Sequence, residues 1–298
     1  MSSFQPLTLA HKELVDDYLR KWPPEISEHT FANLFMWRDS HPILLLERAD
    51  SLVFVAQHKE GLVLLGPPAG EIPLREAWEA VCGAAGARPV VMMERVTEKA
   101  LEGFNLDGSE VAEERDNWDY VHARADLAEL PGRKFHAKRN LVERCLAAHH
   151  CVYEPITPAL LPEVAEMQQR WCEERACDEA PGLCDEYLAI KELLANYERL
   201  GMTGGAMRVD GKVEAYCVGE GLSPGTAVVH VEKAMQHIEG LYQVVNQMFC
   251  RNALASFQYV NREQDMGIAG IRKAKQSYRP RHMVKKYVVR LRAAGQVV

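Results

Sequence analysis

Three short apolar segments joined by brief turns constrain the fold of the first part of the chain most strongly. The segments ILLLER, SLVFVAQ and GLVLLGP occupy residues 43–48, 51–57 and 61–67. Short runs of this kind, rich in Leu and Val and bounded by polar or glycine turns, are typical of buried strands in hairpins. The pattern predicts an antiparallel meander of three strands.

Helices and strands surround this meander in a recognisable order. Two helical patterns precede it, over Leu9–Trp22 and His29–Arg38, and Pro23 and Pro24 end the first of them. The predicted elements that follow alternate: a helix over 74–85, a strand over 89–94, a helix near 97–104 and a strand around Tyr120.

The second part of the chain repeats this order. Its predicted elements are a basic helix at 134–149, a strand at 151–155, helices at 160–175 and 184–200, strands at 204–209, 212–220 and 226–234, a helix at 241–256, a strand at 257–261, a helix at 268–276 and a strand at 282–291. A chain of 298 residues exceeds the usual size of one domain. We therefore expect two similar halves, 1–130 and 131–298.

Two helices, a meander and a helix-strand-helix-strand tail are the element order of the GNAT acyltransferase fold. The expected class is α/β (α+β), with two fused GNAT-like halves, each a mixed, mostly antiparallel sheet flanked by helices. In that fold two central strands splay apart, and the gap admits an acyl carrier. We expect the second half to carry the active site.

Composition and charge exclude several classes of protein. Hydrophobic residues make up 47% of the chain, which is too many for a disordered protein. No apolar run approaches the roughly 18–20 residues of a membrane helix, and the first residues lack a signal core. We expect a soluble cytoplasmic protein with no transmembrane segment.

The eight cysteines do not have the spacing of a zinc ribbon or the density of a disulfide scaffold. Two clusters combine several possible ligands: Cys145, His149, His150 and Cys151, and Cys172, Cys177 and Cys184. Their spacings match no common ligand pattern, so we expect reduced thiols and no metal.

Basic residues concentrate in two segments of a chain whose net charge is -7. Nine of them and no acid lie between Ile271 and Arg292, and Gly132–Arg144 holds five against one acid. Such segments suit a phosphate-bearing cofactor or a nucleic-acid backbone. A solvated helix face and a strand edge guarded by lysines would give the same pattern, so both interpretations stay open.

Polar residues near the ends of two predicted strands are candidates for catalysis. Glu232 precedes a loop and a helix start, where backbone N–H groups can stabilise an oxyanion, although a solvent-facing Glu paired with Lys fits equally. Asp265 follows the strand at 257–261 and is a base, a helix cap or a turn residue paired with Gly267. Tyr278 is a candidate to protonate or orient a leaving group.

The same regions supply the candidate substrate-binding residues. They are Lys138, Arg139, Asn140, Lys233, Gly240, Tyr242, Asn246, Asn261, Glu263, Arg272 and Lys275.

Several of these segments resemble one protein family. They are HVEKA (230–234), GLYQVVN (240–246), NREQDMGI (261–268), GIRKAKQSYRP (270–280), GRKFHAKRN (132–140) and the stretch Thr30–Arg38. The chain is similar, over nearly its whole length, to bacterial proteins related to the C-terminal catalytic domain of phosphatidylglycerol lysyltransferase. That resemblance implies a tandem GNAT fold, related to Fem-type aminoacyltransferases, which moves an amino acid from aminoacyl-tRNA to a lipid hydroxyl. The lysyltransferases carry a membrane-embedded part, which this sequence lacks, so a peptide, protein or small-amine acceptor fits at least as well.

Three functions therefore stay open. In the first, the basic residues hold the acceptor-end phosphates of tRNA, and Glu232 or Asp265 takes the proton of the acceptor. The second is acetyl-CoA-dependent N-acetylation. It is disfavoured because the loose match to a pyrophosphate loop, Gln264-x-x-Gly267-x-Ala269, precedes the short helix at 268–276, whereas such a loop is expected before the long helix at 241–256. The third is a non-catalytic module that binds tRNA or a partner protein. No permanently bound cofactor is expected in any of them.

Overall fold

The structure is a computed structural model that describes residues 3–102, 104, 108–175 and 181–291. Within these residues the chain forms two seven-stranded sheets with accompanying helices. The chain folds into two compact units. The first comprises Met1–Asp119, Gln264–Ala269 and Met283–Val298, and the second comprises Tyr120–Glu263 and Gly270–His282.

The first sheet contains the predicted meander. Its strands are β1 (Gln5–Pro6), β2 (Ile43–Arg48), β3 (Ser51–His58), β4 (Gly61–Leu65), β5 (Val90–Thr97), β6 (Ser109–Glu113) and β14 (Lys286–Leu291), in the order β1-β2-β3-β4-β5-β14-β6. The helices of this unit are α1 (Lys12–Lys21), α2 (Phe31–Met36), α3 (Leu74–Ala85) and α4 (Glu98–Leu101). Strands β2, β3 and β4 are antiparallel, whereas β5 runs parallel to β4.

Helix α3 connects the parallel strands β4 and β5 and covers the sheet with one apolar face. Leu74, Ala77 and Val81 recur every three or four residues, and all three are buried in the same core as β4 and β5.

The second sheet repeats this arrangement. Its strands are β7 (Asp119–Ala123), β8 (Cys151–Pro155), β9 (Thr203–Val209), β10 (Lys212–Ser223), β11 (Thr226–Ala234), β12 (Tyr259–Asn261) and β13 (His282–Val284), in the order β13-β7-β12-β11-β10-β9-β8. The remaining helices are α5 (Arg124–Glu129), α6 (His136–Ala148), α7 (Leu161–Glu174), α8 (Pro181–Ala195), α9 (Tyr197–Leu200), α10 (Leu241–Asn252) and α11 (Ala269–Ser277). Both predicted meanders are therefore present.

The parallel pair in the second sheet is short. Strand β11 pairs with β12 from Thr226↔Tyr259 to Val228↔Asn261, and β11 then continues to Ala234 without a partner on β12. Helix α10 connects the two strands and buries Leu241, Val244 and Phe249 in the core of this unit. The sheet is thus open on one side of β11 beyond Val228.

The division into units corrects the predicted boundary at residue 130. Strand β7, predicted to close the first half, pairs with β12 in the second sheet, and β14, predicted to close the second, lies between β5 and β6 in the first. The predicted strand at 282–291 is two strands, β13 and β14, with Lys285 between them. The hydrophobic pattern of a segment identifies it as a strand. It does not identify the neighbouring strand, which comes from a distant part of the chain. Strand β6 was not predicted, because SEVAE lacks an apolar run.

A buried ion network joins distant segments of the first unit. Lys286, at the start of β14, is fully buried, and its Nζ donates to Glu28 Oε2 at 2.6 Å and to Asp119 Oδ1 at 2.7 Å. Ser27 donates to Asp119 through its backbone N and its Oγ, at 2.8 and 2.9 Å, and Arg95 Nε donates to Glu28 Oε1 at 2.9 Å. Burial alone would raise the pKa of Glu28, but the charges of Lys286 and Arg95 hold it below its ordinary value.

A buried histidine bridges three strand segments of the second unit. His230 on β11 lies with Nε2 2.9 Å from Glu220 Oε1, on β10, and with Nδ1 2.8 Å from Glu263 Oε1, just after β12. Burial opposes its charge, but the two hydrogen-bonded carboxylates raise the pKa of His230 to about 10. The carboxylate of Glu263, a predicted substrate-binding residue, is therefore engaged by the fold itself.

The ion network predicts that Lys286→Met destabilises the protein strongly, because the carboxylates of Glu28 and Asp119 would stay buried without their shared cation. We expect a loss of about 3–5 kcal/mol in the free energy of unfolding, measured in urea. Lys285→Met is the matched control: Lys285 pairs with Glu98 at the surface, and its loss should change the stability little, because exposed ion pairs are weak. Equal stability of the two variants would contradict the prediction.

The pKa of His230 predicts a pH-dependent contribution to stability. Its folded value of about 10 lies above its ordinary value of 6.5, so the contribution is fully present below about pH 6.5 and is lost as the pH rises through about 10. The difference in unfolding free energy between wild type and His230→Gln should therefore be largest near pH 6 and shrink toward pH 10. The exposed His282 provides the control, His282→Gln. A constant difference for His230→Gln across this range would refute the prediction.

Candidate functional site

Four predicted site residues converge beside the open side of β11. Glu232 lies on β11 itself, Asn246 on α10 and Lys138 on α6, while Tyr278 directly follows α11. A fifth residue, Arg262, follows β12 and contacts two of them. These five side chains, all in the second unit, are called the Glu232 cluster below.

The carboxylate of Glu232 is held from two directions. Arg262 NH2 donates to Oε1 and Oε2 of Glu232 at 2.8 and 2.9 Å, and Asn246 Nδ2 donates to Oε2 at 2.8 Å. Charge-assisted hydrogen bonds of this kind are stronger than neutral ones. Arg262 comes directly after β12. Its ion pair with Glu232 therefore connects β11 to the chain after β12, beyond the last backbone pair between the two strands.

Tyr278 is a buried aromatic platform for two cations. Lys138 Nζ lies 3.7 Å and Arg262 Cζ 4.8 Å from the centroid of its ring, which is within the range of cation–π attraction. Burial raises the pKa of the Tyr278 phenol above its ordinary value, so the side chain stays protonated at neutral pH.

Lys138 is the most unusual cation of the Glu232 cluster. Its amine is half-buried and has no hydrogen-bond partner among the described residues, and its contact is with the Tyr278 ring. Burial and the charge of Arg262 lower the pKa of Lys138 to about 8, although Glu232 acts in the opposite direction. A lysine with this pKa is partly neutral near physiological pH and can accept a proton.

Two buried polar atoms beside Glu232 lack hydrogen-bond partners among the described residues. They are Arg262 NH1, a donor, and Asn246 Oδ1, an acceptor. The orientation of the Asn246 amide follows from its neighbour, because a carboxylate accepts hydrogen bonds and therefore faces Nδ2. An unsatisfied buried polar atom costs about 1–3 kcal/mol, so a bound group that satisfied this pair would be favoured.

Sequence reasoning did not select Arg262 or His122. Arg262 stands in the polar run NREQD, and its position immediately after a strand was the available signal. His122 lies on β7, and its ring meets the Tyr278 ring edge-on, with 6.4 Å between centroids. Burial and the charge of Arg262 lower the pKa of His122 to about 3, so it is neutral. Nothing in the sequence around β7 indicates this contact.

Lys233 and Tyr242 belong to a separate aromatic cluster in the second unit. Lys233 Nζ donates to Glu186 Oε2 at 2.8 Å and lies 3.8 Å from the Trp171 ring, and Trp171 Nε1 donates to the Tyr242 hydroxyl at 3.2 Å. The alternation of side chains along β11 explains why Lys233 does not join Glu232.

Three other predicted binding residues hydrogen-bond to the backbone. Asn261 Oδ1 accepts from the backbone N of Glu263 at 2.8 Å, Lys275 Nζ donates to the carbonyl of Arg262, and Arg139 NH1 donates to the carbonyl of Gly132 at 2.7 Å. Asn140 is exposed on α6, and Arg272 is half-buried on α11.

Gly240 allows α6 and α10 to approach each other closely. Its φ is +86°, and a Cβ there would lie 2.4 Å from the carbonyl oxygen of Leu141, so only glycine fits. The packing of the two helices accounts for this glycine.

Asp265 occupies a different place from the one predicted. It lies in the first unit, with its side chain fully buried. Its Oδ1 accepts from the backbone N of Gly267 at 2.9 Å, and its Oδ2 pairs with Arg115 NH1 at 3.2 Å. These contacts correspond to the turn-forming alternative rather than to a base.

The first unit contains a cavity that is less suited to an acyl donor than the Glu232 cluster is. A cavity of about 550 Å³ in the first unit is lined by Arg75, Glu76, Glu79 and Glu102 among apolar residues, and its acidic lining is unsuited to a phosphate-bearing donor.

Residues 3–102, 104, 108–175 and 181–291 hold no group of His, Cys, Asp or Glu side chains arranged to bind a metal, and they contain no helix with the length and apolar character needed to span a bilayer. Cys177 and Arg292 lie outside these ranges.

Comparison with known proteins identifies a family that matches most of the chain. Residues 20–290 match the family described as phosphatidylglycerol lysyltransferase, C-terminal. No curated protein gives a significant match. Among solved structures, a conserved protein of unknown function from Bacteroides thetaiotaomicron is 33% identical, with a TM-score of 0.91, 98% of this chain covered and 100% of that one.

More distant structures agree on the fold. L-PGS from Bacillus licheniformis has a TM-score of 0.68 at 12% identity, with 96% of this chain and 93% of that one covered. A tandem GNAT protein from the clavulanic acid biosynthesis pathway has a TM-score of 0.51 at 10% identity, with 99% and 100% covered. These likenesses confirm the predicted pair of GNAT-like halves, and together with the family match they support the predicted enzyme class, an acyltransferase. The chain belongs to the family of the C-terminal domain of phosphatidylglycerol lysyltransferase.

Proposed function

We propose that this acyltransferase moves an aminoacyl group from aminoacyl-tRNA to an amine or hydroxyl acceptor. The observation that supports the proposal is the unsatisfied pair beside Glu232, Arg262 NH1 and Asn246 Oδ1. An aminoacyl ester offers a carbonyl oxygen that accepts a hydrogen bond and an α-ammonium that donates one. Arg262 would bind the first and Asn246 the second, while the Glu232 carboxylate offsets the ammonium charge. An acetyl group has no such ammonium.

The Glu232 cluster also contains the groups that the transfer requires. The acceptor attacks the ester carbonyl, and the neutral amine of Lys138 takes its proton. The carbonyl oxygen becomes an oxyanion that the Arg262 guanidinium stabilises. The bond to the ribose oxygen of tRNA then breaks, and the proton held by Lys138 passes to that oxygen. In this scheme Glu232, predicted as a base, positions Arg262 and Asn246 instead.

Basic residues and the family support a tRNA donor. Helix α6 carries Arg139 in the basic stretch Gly132–Arg144, which suits the phosphates of an acceptor end. A charged-tRNA donor would place the reaction in the cytoplasm, where such tRNAs are made. Phosphatidylglycerol, which the family description names, is one possible acceptor, and peptides or small amines are others.

The proposed role of Asn246 predicts discrimination between two donors. Lysyl-tRNA should be used about 100-fold better, in kcat/KM, than the same tRNA carrying Nα-acetyl-lysine, because acetylation removes the ammonium that Asn246 and Glu232 would bind. Transfer is measured with labelled lysine, and the acceptors are phosphatidylglycerol vesicles and, separately, a mixture of amines and peptides.

The variant Asn246→Ala tests whether Asn246 recognises the aminoacyl group. Asn246→Ala should use lysyl-tRNA at least about tenfold less well, with its affinity for tRNA unchanged. Asn252→Ala, at the exposed end of α10, is the matched control. Equal use of both donors by wild type would contradict aminoacyl recognition. Saturable binding of acetyl-CoA without tRNA binding would favour N-acetylation, and tRNA binding without turnover would favour a binding module.

The lowered pKa of Lys138 predicts the pH dependence of transfer. Because the amine must be neutral to accept a proton, kcat/KM should rise as the pH increases through about 8. Lys138→Ala should lose about 100-fold or more in kcat/KM, and the rise of kcat/KM with pH should disappear. A primary amine in solution should restore part of the activity. Lys134→Ala is the control, since Lys134 pairs with Asp126 at the surface. A pH step that survives in Lys138→Ala would exclude Lys138 as the base.

A further inference from the structure

Two free thiols of the second unit lie against each other. Cys145 stands in the last turn of α6, and Cys151 is the first residue of β8. Their side chains share a hydrogen bond, and both belong to the core that α10 forms with the second sheet. The two residues are called the Cys145–Cys151 pair below.

Asp210 fixes the short connection between the two thiols. The backbone N of His150 donates to Asp210 Oδ1 at 2.9 Å, and the backbone N of Asp210 donates to the carbonyl of His150 at 3.0 Å. His149 Nδ1 lies 2.9 Å from Asp210 Oδ2, and its backbone N donates to the carbonyl of Cys145 at 3.1 Å. The end of α6 is thereby held beside the start of β8, so the two sulfur atoms meet in the native fold.

The two thiols differ in access to solvent. Cys145 is buried, whereas Cys151 is half-buried on β8, which is the last strand at one edge of the second sheet. Burial, with a smaller contribution from Cys151, raises the pKa of Cys145 to about 12. Burial also raises the pKa of Cys151 above its ordinary value, but the hydrogen bond from Cys145 acts in the opposite direction. Cys151 is therefore the more accessible thiol and the better nucleophile of the pair.

We propose that the Cys145–Cys151 pair is a modification site, which a low-molecular-weight disulfide converts into an intramolecular disulfide bond. The Cys151 thiolate attacks one sulfur of the oxidant, which gives a mixed disulfide and releases one thiolate that takes up the proton lost by Cys151. Cys145 then loses its proton and attacks the Cys151 sulfur. The bond to the oxidant's second half breaks, and that half leaves as a second thiol.

The new bond would tie the end of α6, the helix that carries Lys138, to the edge strand β8. The protein loses two hydrogen atoms and the oxidant is reduced to two thiols, so an excess of thiol reverses the reaction. The proposal is independent of the identity of the acyl donor.

The test is incubation of the reduced full chain with glutathione disulfide, followed by alkylation of the remaining thiols and peptide mass spectrometry. We expect the bond between Cys145 and Cys151 to be the main intramolecular disulfide. Because the two sulfur atoms already meet, the oxidised protein should keep its circular dichroism spectrum, and its midpoint of unfolding in urea should not fall. Dithiothreitol should restore both thiols.

Substitutions separate the two steps. Cys145→Ala removes the second thiol, so glutathione should remain bound to Cys151 at least about tenfold longer than in wild type. Cys184→Ala removes another half-buried thiol and is the matched control, in which the disulfide should form as it does in wild type.

Two outcomes would overturn the proposal. One is native wild-type protein in which Cys151 keeps its glutathione, or stays reduced, while Cys82 or Cys184 reacts. The other is a Cys145–Cys151 disulfide that forms only with loss of the native circular dichroism spectrum, because the fold would then not bring the two thiols together.

Discussion

The short parallel pairing of β11 with β12 is the constraint on which the candidate site depends. Backbone pairing ends at Val228↔Asn261. Beyond this pair, side-chain hydrogen bonds rather than backbone hydrogen bonds connect β11 to the chain that follows β12. His230 and Glu232, two residues apart and on the same face of β11, reach Glu263 and Arg262 after β12. The residues that close this end of the sheet are therefore also those that leave a donor and an acceptor unsatisfied.

The first unit has the same order of strands but a different end to its parallel pair. Strand β4 pairs with β5 up to Leu65↔Glu94, and the backbone N of Gly66 continues the ladder by donating to the carbonyl of Glu94 at 2.7 Å. His29 fills the adjacent space: its Nε2 lies 2.9 Å from the carbonyl oxygen of Leu65, and burial lowers its pKa to about 4. The charged side chains nearest to this end, Glu28, Arg95 and Lys286, pair with one another in the buried ion network.

Local pattern was sufficient for most element types, with β6 as an exception, but not for the partners of the strands. The apolar runs of both meanders and the four-residue spacing of Leu241, Val245 and Phe249 on α10 predict structure because burial follows from periodicity. Strands β7 and β14 each lie in the sheet opposite to the predicted one. Their partners are more than a hundred positions away in the sequence, so local pattern does not identify them. The same limit applies to the site: Glu232 and Asn246 stand in recognisable segments, whereas the roles of Arg262 and His122 depend on which side chains face them. Asp265 was predicted as a catalytic candidate but lies in a turn, since a carboxylate after a strand suits a turn as well as catalysis.

The position of β14 determines the order in which the protein can be completed during synthesis. The strand lies between β5 and β6, inside the first sheet, yet residues 286–291 are made after the whole second unit. Until they leave the ribosome, β5 and β6 lack the strand that joins them, and Glu28 and Asp119 lack the ammonium of Lys286. The first unit, whose sequence begins the chain, is thus the last to close, and a cut near residue 130 would leave both sheets incomplete.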